Sequence, residues 1–300
     1  MNTPTLRSNI LLLLTAIIWG FAFVAQRIGM DYVGPFTFNG LRFALGGFSL
    51  LPLLLSMNRQ RDPGPDTGLT ALLLGGVSAG IALFLGASLQ QVGIVYTTVG
   101  NAGFITGLYV VLVPLMGLFL KQKASIEAWT GACLAAVGMY FLSVTEQFTI
   151  AFGDLLELLG AFCWAAHVLL IGRLARRMDA LKIAFVQFLS CSVLSLLAAA
   201  LTEKISIQGI SDAAVPIAYG GLLSVGIAHT LQVIAQRHAH AAHAAIILSL
   251  EAVFAALGGC WLLGEALSQR GIFGSALMLT GILLSQFQLK FPGCRRSQQP

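Results

Sequence analysis

The sequence predicts an all-α polytopic membrane protein whose ten transmembrane helices form two inverted five-helix repeats. Three observations lead there. Of 300 residues 57% are hydrophobic and 10% charged, mean hydropathy is +0.86, and apolar runs recur from end to end at the ~20-residue length that crosses a bilayer core. The basic residues sort to one side of those runs. Finally, the two halves resemble each other at an offset near 145 residues, which divides the chain into a first repeat over 1–146 and a second over 147–300.

Taken in order, charged or Gly/Pro/Asp-containing breaks place spans near 9–28, 35–56, 69–90, 96–120, 127–144, 154–173, 181–202, 213–236, 243–263 and 270–289. The first run follows Arg7 as a signal peptide would, yet it lacks a small-x-small cleavage site and nine further spans follow, so it is read as span one. The longest polar break, MNRQRDPGPDTG over 57–68, has the composition of an exposed loop. In span four Pro114 should bend the helix, because proline lacks the backbone donor.

Thirteen of the 17 lysines and arginines fall on the side of the N-terminus, namely Arg7, Arg59, Arg61, Lys121, Lys123, Arg173, Arg176, Arg177, Lys182, Arg237, Lys290, Arg295 and Arg296. Arg27, Lys204 and Arg270 fall on the other, and Arg42 lies inside span two. Both termini are therefore expected in the cytoplasm of a bacterial-type inner membrane. This sorting and anionic lipid account for the net charge of +5, which is no sign of nucleic acid.

Aligning Trp19 with Trp164 sets Arg42 on Gln187 and Phe43 on Phe188, then Gln90 on Gln232, Gly131 on Gly274 and Gly138 on Gly281. Five spans per copy is an odd number, so the second copy enters the membrane from the opposite side. Inverted repeats supply two pseudo-equivalent conformations with a ligand site between the halves, and hence point to transport.

Side chains that are costly in lipid mark the candidate site. Arg42 lies about 10 Å deep in span two, with Asn39 three residues away on the same face. Its planar fork suits a carboxylate or phosphate, against the alternatives of snorkelling or pairing with Glu157. Glu251, about 12 Å into span nine, is suited to bind an ammonium group or carry a proton, or else to bridge helices. Trp19, Phe23 and Gln26 share a face of span one, Trp164 and His167 one of span six, and His229, Gln232 and Gln236 one of span eight. Gln90, Asn101, Tyr109 and Gln187 complete the candidates, Tyr109 falling at or beside the counterpart of Glu251. Such sets either line a cavity for an amphipathic solute or hold helices together. His238, His240 and His243 are spaced too unevenly to bring three imidazoles to one point, and no metal is expected. The five cysteines read as apolar fillers, and the 33 glycines as sites of close helix approach.

The pattern Glu-x-Val-Phe-Ala-Ala-Leu followed by Leu-Leu-Gly-Glu, within 248–265, resembles the second-repeat signature of the drug/metabolite transporter (DMT) superfamily, in its ten-span EamA-type branch. Trp-Gly-Phe-Ala-Phe at 19–23 looks like the start of the family's first repeat. The resemblance implies movement of small metabolites such as amino acids, usually outward and without ATP. No Walker-type loop is present. The signature usually has proline after its first Glu, where this chain has Ala252, so span nine is expected to be less kinked.

The reading is thus a secondary transporter with no cofactor. Its partners are a small-molecule substrate and the lipid bilayer, with a coupling proton and a homodimer left open. A proton-coupled exporter of lipophilic cations and a lipid-head-group flippase are the alternatives. A membrane-embedded enzyme would need a His, Asp and Glu cluster near water, and only the histidine run approaches one.

Overall fold

Inside a bilayer core no water is available to the backbone, so a spanning segment must bond to itself; every regular element described is a helix. The computed structural model describes residues 3–57, 68–119, 126–143, 152–266 and 269–286. Among them eight helices are long and apolar enough to cross a membrane, and two shorter apolar helices accompany them. The protein is a multi-pass membrane protein.

The long elements are α1 (Thr3–Gly29), α2 (Pro35–Ser49, resumed as Leu51–Met57), α3 (Leu69–Gly93), α4 (Val99–Thr106 and Tyr109–Phe119), α6 (Phe152–Leu174), α7 (Ala180–Thr202), α8 (Ala214–Ala218, Tyr219–His229 and Thr230–Ala235) and α9 (Ala241–Leu248 and Glu251–Leu263). The shorter pair is α5 (Ile126–Ser143) and α10 (Gln269–Gln286). A short helix, Ile207–Asp212, links α7 to α8. The expected loop over 58–67, the turn holding Lys121 and Lys123, residues 144–151 and the tail after 286 lie outside the described residues.

Three elements depart from the sequence reading. α1 starts at Thr3, a turn and a half before the apolar run expected from residue 9, because helical bonding does not stop where hydropathy falls. Span nine, expected to be smoother for want of proline at 252, is broken at Ser249–Leu250. There the bonds shorten to Leu250 N→Ile247 O (3.2 Å) and Ala252 N→Ser249 O (3.2 Å), while the Ser249 hydroxyl donates to Ile246 O at 2.8 Å, a backbone-competing bond that loosens a helix without proline. α4 breaks at Gly107–Leu108, more than a turn before Pro114, which sits within helix Tyr109–Phe119; glycine carries little helix propensity and yields first. The two breaks are alike: α4 and α9 each run eight residues, pause for two, and resume at Tyr109 and Glu251.

α8 carries a further irregularity. Tyr219–His229 is a π-helix of 11 residues, a form that is rare and frequent at functional sites.

Glycines set the closest crossings. A Cβ at Gly138 would press on Gly274 O and Met278, and one at Gly281 on Gly131 O and Ala135 N, so α5 and α10 meet backbone to backbone. Gly138→Val should separate this pair and destabilise the protein by about 1–3 kcal/mol, read as a lower melting temperature in detergent with the helical circular dichroism retained.

A candidate solute cavity between the broken helices

The spacing of three and four along α1 places Trp19, Ala22, Phe23 and Gln26 on one stripe, and that stripe faces an internal cavity. Arg42 of α2, Gln90 of α3, Thr106 and Tyr109 of α4, Trp164 and Val168 of α6, Ser224, His229 and Gln232 of α8, and Glu251 of α9 close it. The free space is about 30 Å³, enough for a water or two and no larger solute. Any cargo must therefore part these helices.

His229 is the centre of the aromatic wall. Its ring lies 4.5 Å from Trp19, 5.9 Å from both Phe43 and Phe188, 6.2 Å from Trp164 and 6.5 Å from His167, centroid to centroid. Nδ1 lies 2.9 Å from Ser224 O, and Trp19 Nε1 donates to the same carbonyl at 3.2 Å. With Nδ1 as that donor, Nε2 is an acceptor, and Nε2 has no partner.

A second set of bonds joins three helices. Trp164 Nε1 donates to Gln90 Oε1 (2.9 Å) and Gln90 Nε2 to Gln26 Oε1 (2.9 Å), so the α6, α3 and α1 walls are fixed through one amide chain. Both polar atoms of Gln232 are, by contrast, unpaired, and they lie on the same cavity.

Two ionisable groups of opposite sign share this space. Arg42 is 3% exposed, with Cζ 5.0 Å from the Phe43 ring and 5.6 Å from that of Phe38; Nε has no hydrogen-bond partner. Glu251 is also 3% exposed. Tyr109 lies close enough to interact with it electrostatically, although the hydroxyl makes no well-formed hydrogen bond. Neither Arg42 nor Glu251 enters an ion pair among the described residues, where the one salt bridge joins Arg27 to Asp31. A guanidinium and a carboxylate facing one aromatic cavity can hold the two ends of a zwitterion.

The EamA-like transporter family matches the chain twice, over residues 6–144 and again over 151–287. The chain belongs to the EamA-like transporter family. An uncharacterized transporter of Archaeoglobus fulgidus is 34% identical over 275 residues, covering 91% of this chain and 83% of that protein. The uncharacterized transporter YoaV of Bacillus subtilis is 22% identical over 281 residues, or 90% and 94%. A probable amino-acid metabolite efflux pump of Salmonella typhimurium is 27% identical over 165 residues, 53% of this chain and 51% of that one. One solved crystal structure shares the fold, with a TM-score of 0.74 at 20% identity over 93% of this chain and 96% of that chain.

In this EamA-like protein the cavity gathers nine sequence-predicted candidates: Trp19, Gln26, Arg42, Gln90, Tyr109, Trp164, His229, Gln232 and Glu251. Four stand elsewhere. Asn39 donates to Ala87 O at 3.0 Å, and His167 Nε2 meets Gln187 Oε1 at 2.9 Å behind the wall. Asn101 lies in the first turn of α4, where its amide donates to Thr98 Oγ1. Arg42 is neither snorkelling, being buried, nor paired with Glu157, which accepts instead from Thr106 Oγ1 at 2.9 Å. Gln236 donates to Val168 O at 3.0 Å, and His243 Nε2 meets Asn9 Oδ1 at 2.8 Å. Sequence reasoning missed Thr106 and Ser224, because a hydroxyl in an apolar run bonds its own helix as readily as a ligand.

Proposed function

We propose that the protein is a secondary transporter of small zwitterionic, amphipathic metabolites such as amino acids, carried by alternating access of two inverted five-helix repeats. The observation that carries this is the shared cavity: Arg42 and Glu251, each without an ion-pair partner among the described residues, face one another's space across an aromatic wall. The reading of ten spans in two copies is supported by the doubled family match and by the equivalent breaks in α4 and α9; interrupted helices in corresponding positions are where transporters of this general design hold their cargo. The Salmonella relative lends support to amino acids and to outward movement. A lipophilic cation is the less suitable cargo, since Arg42 would repel it from the cavity that Glu251 lines.

The deciding experiment is a thermal-shift screen of the purified protein. Free amino acids should raise the melting temperature, whereas their amides and N-acetyl forms, each lacking one charge, should not. Stabilisation by cationic dyes alone would overturn the reading in favour of multidrug export. Proton coupling is part of the proposal and is tested through Glu251.

The inner-membrane orientation, with both termini cytoplasmic, follows from the basic residues. A cysteine at Gln208, in the exposed helix between α7 and α8, should react with an impermeant reagent only from outside, and one at the exposed Arg237 only from inside. The reverse pattern would invert the topology.

A further inference from the structure

The geometry points to Glu203 and Glu265 as a pair of gate residues that hold one end of the transporter shut. Glu203 follows α7 directly, and its carboxylate spans the start of α2. It accepts from Phe36 N (2.7 Å), Thr37 N (2.8 Å) and Thr37 Oγ1 (2.6 Å). Glu265, just past α9, does the same for α4, accepting from Val99 N (3.0 Å) and Gly100 N (3.1 Å). In both cases an acid from the second half of the chain satisfies the orphan amides of a helix start in the first half, where the helix dipole favours negative charge. Space is reserved for both carboxylates: a Cβ at Gly34 would collide with Glu203, and one at Gly259 with Glu265.

The helices so held are the ones that carry the cavity. Arg42 lies about 10 Å along α2 from its capped start, and Tyr109 about 15 Å along α4 from its own. Releasing the two carboxylates frees the ends about which these segments would swing.

The opposite end of the molecule is built differently. There α7 is capped by its own Asp179, through Leu181 N at 2.9 Å, and α9 begins at His240 with no side-chain cap bond. That end holds a crevice of about 810 Å³ lined by Arg7, Leu50, Leu53, Thr230, Ile234 and Arg237. Since Thr230 follows His229, the crevice starts where the cavity ends. The protein is thus closed at the Glu203 and Glu265 end and open to within a turn of the cavity at the other.

This inference rests on the alternating-access reading, and its test measures accessibility with no substrate present. In a background with the native cysteines replaced by serine, Ala22→Cys places a thiol on the cavity. Its reaction with an impermeant maleimide is timed in right-side-out and in inside-out vesicles. Glu203→Gln and Glu265→Gln, singly and together, are expected to speed labelling from the side bearing these residues by at least about tenfold, as the loss of charge-assisted bonds predicts, and to slow it from the other. Should a glutamine variant fail to insert, Gly34→Ala and Gly259→Ala displace the carboxylates without removing their charge and should shift labelling in the same direction. Unchanged labelling from both sides in folded variants would overturn the gate, and would leave the zwitterion reading standing. Loss of amino-acid stabilisation with the labelling shift intact would do the opposite.

Discussion

Arg42→Gln is expected to abolish transport while the protein still inserts and folds. The guanidinium is buried among Phe38 and Phe43, has no ion-pair partner among the described residues, and lines the cavity. A group in that position is retained in a low-dielectric interior at a cost that a bound anion would offset. Glutamine is the residue at the matching place in the second half, Gln187, so the substitution is compatible with a helix in this environment. Each charge-assisted bond lost is worth about 1.5–3 kcal/mol, or roughly 10–100-fold in affinity. Arg42→Lys keeps the charge but not the planar fork, and should bind more weakly than the native protein while retaining slow transport. Equilibrium binding and uptake into proteoliposomes measure both. Normal kinetics in Arg42→Gln would return Arg42 to a purely structural place.

The second large effect is expected at Glu251. Glu251→Gln preserves size and hydrogen bonding and fixes the side chain in its neutral form. If proton exchange at this carboxyl drives accumulation, the variant still exchanges labelled for unlabelled substrate, yet loses uphill transport under a proton gradient together with the acidic limb of the pH profile. The groups that bear on Glu251 are Tyr109, which faces it, Glu157, which interacts with it electrostatically from α6, and Arg42 on the same cavity. An unchanged pH profile with undiminished accumulation would show that Glu251 only ties helices together, and would move the coupling question to His167 and His229.

Much of this was legible in the sequence, and the reason is specific to membranes. A polar side chain in a long apolar run is conspicuous, so Arg42, Glu251, Gln26, Gln90, Trp19, Trp164 and His229 could be picked out before any coordinate, and spacings of three and four told which shared a face. What spacing cannot tell is whether that face meets a cavity or another helix. His167 and Gln187 have the same polarity as Gln232, yet they satisfy each other at 2.9 Å while Gln232 is left to the cavity. The breaks were only half visible: proline is a loud signal, and both breaks occur without one, at Gly107–Leu108 and Ser249–Leu250. Glu203 and Glu265 were passed over because acids in short turns between spans are ordinary; only the folded chain reveals which helix starts they reach.

The π-helix of α8 has a consequence for how this protein tolerates insertion and deletion. Each of its wide turns encloses one residue more than an α turn does, so the segment Tyr219–His229 packs surplus chain into the span. Removing one residue between Tyr219 and Ser224 would let the remainder wind as ordinary α-helix. Everything after the cut would then rotate by about 100° relative to what precedes it. His229 and Gln232 would leave the cavity together, and His229 Nδ1 would lose Ser224 O. Length and hydropathy would be nearly unchanged, so an aligned relative shorter by one residue here would look like a conservative neighbour while presenting a different wall to its cargo.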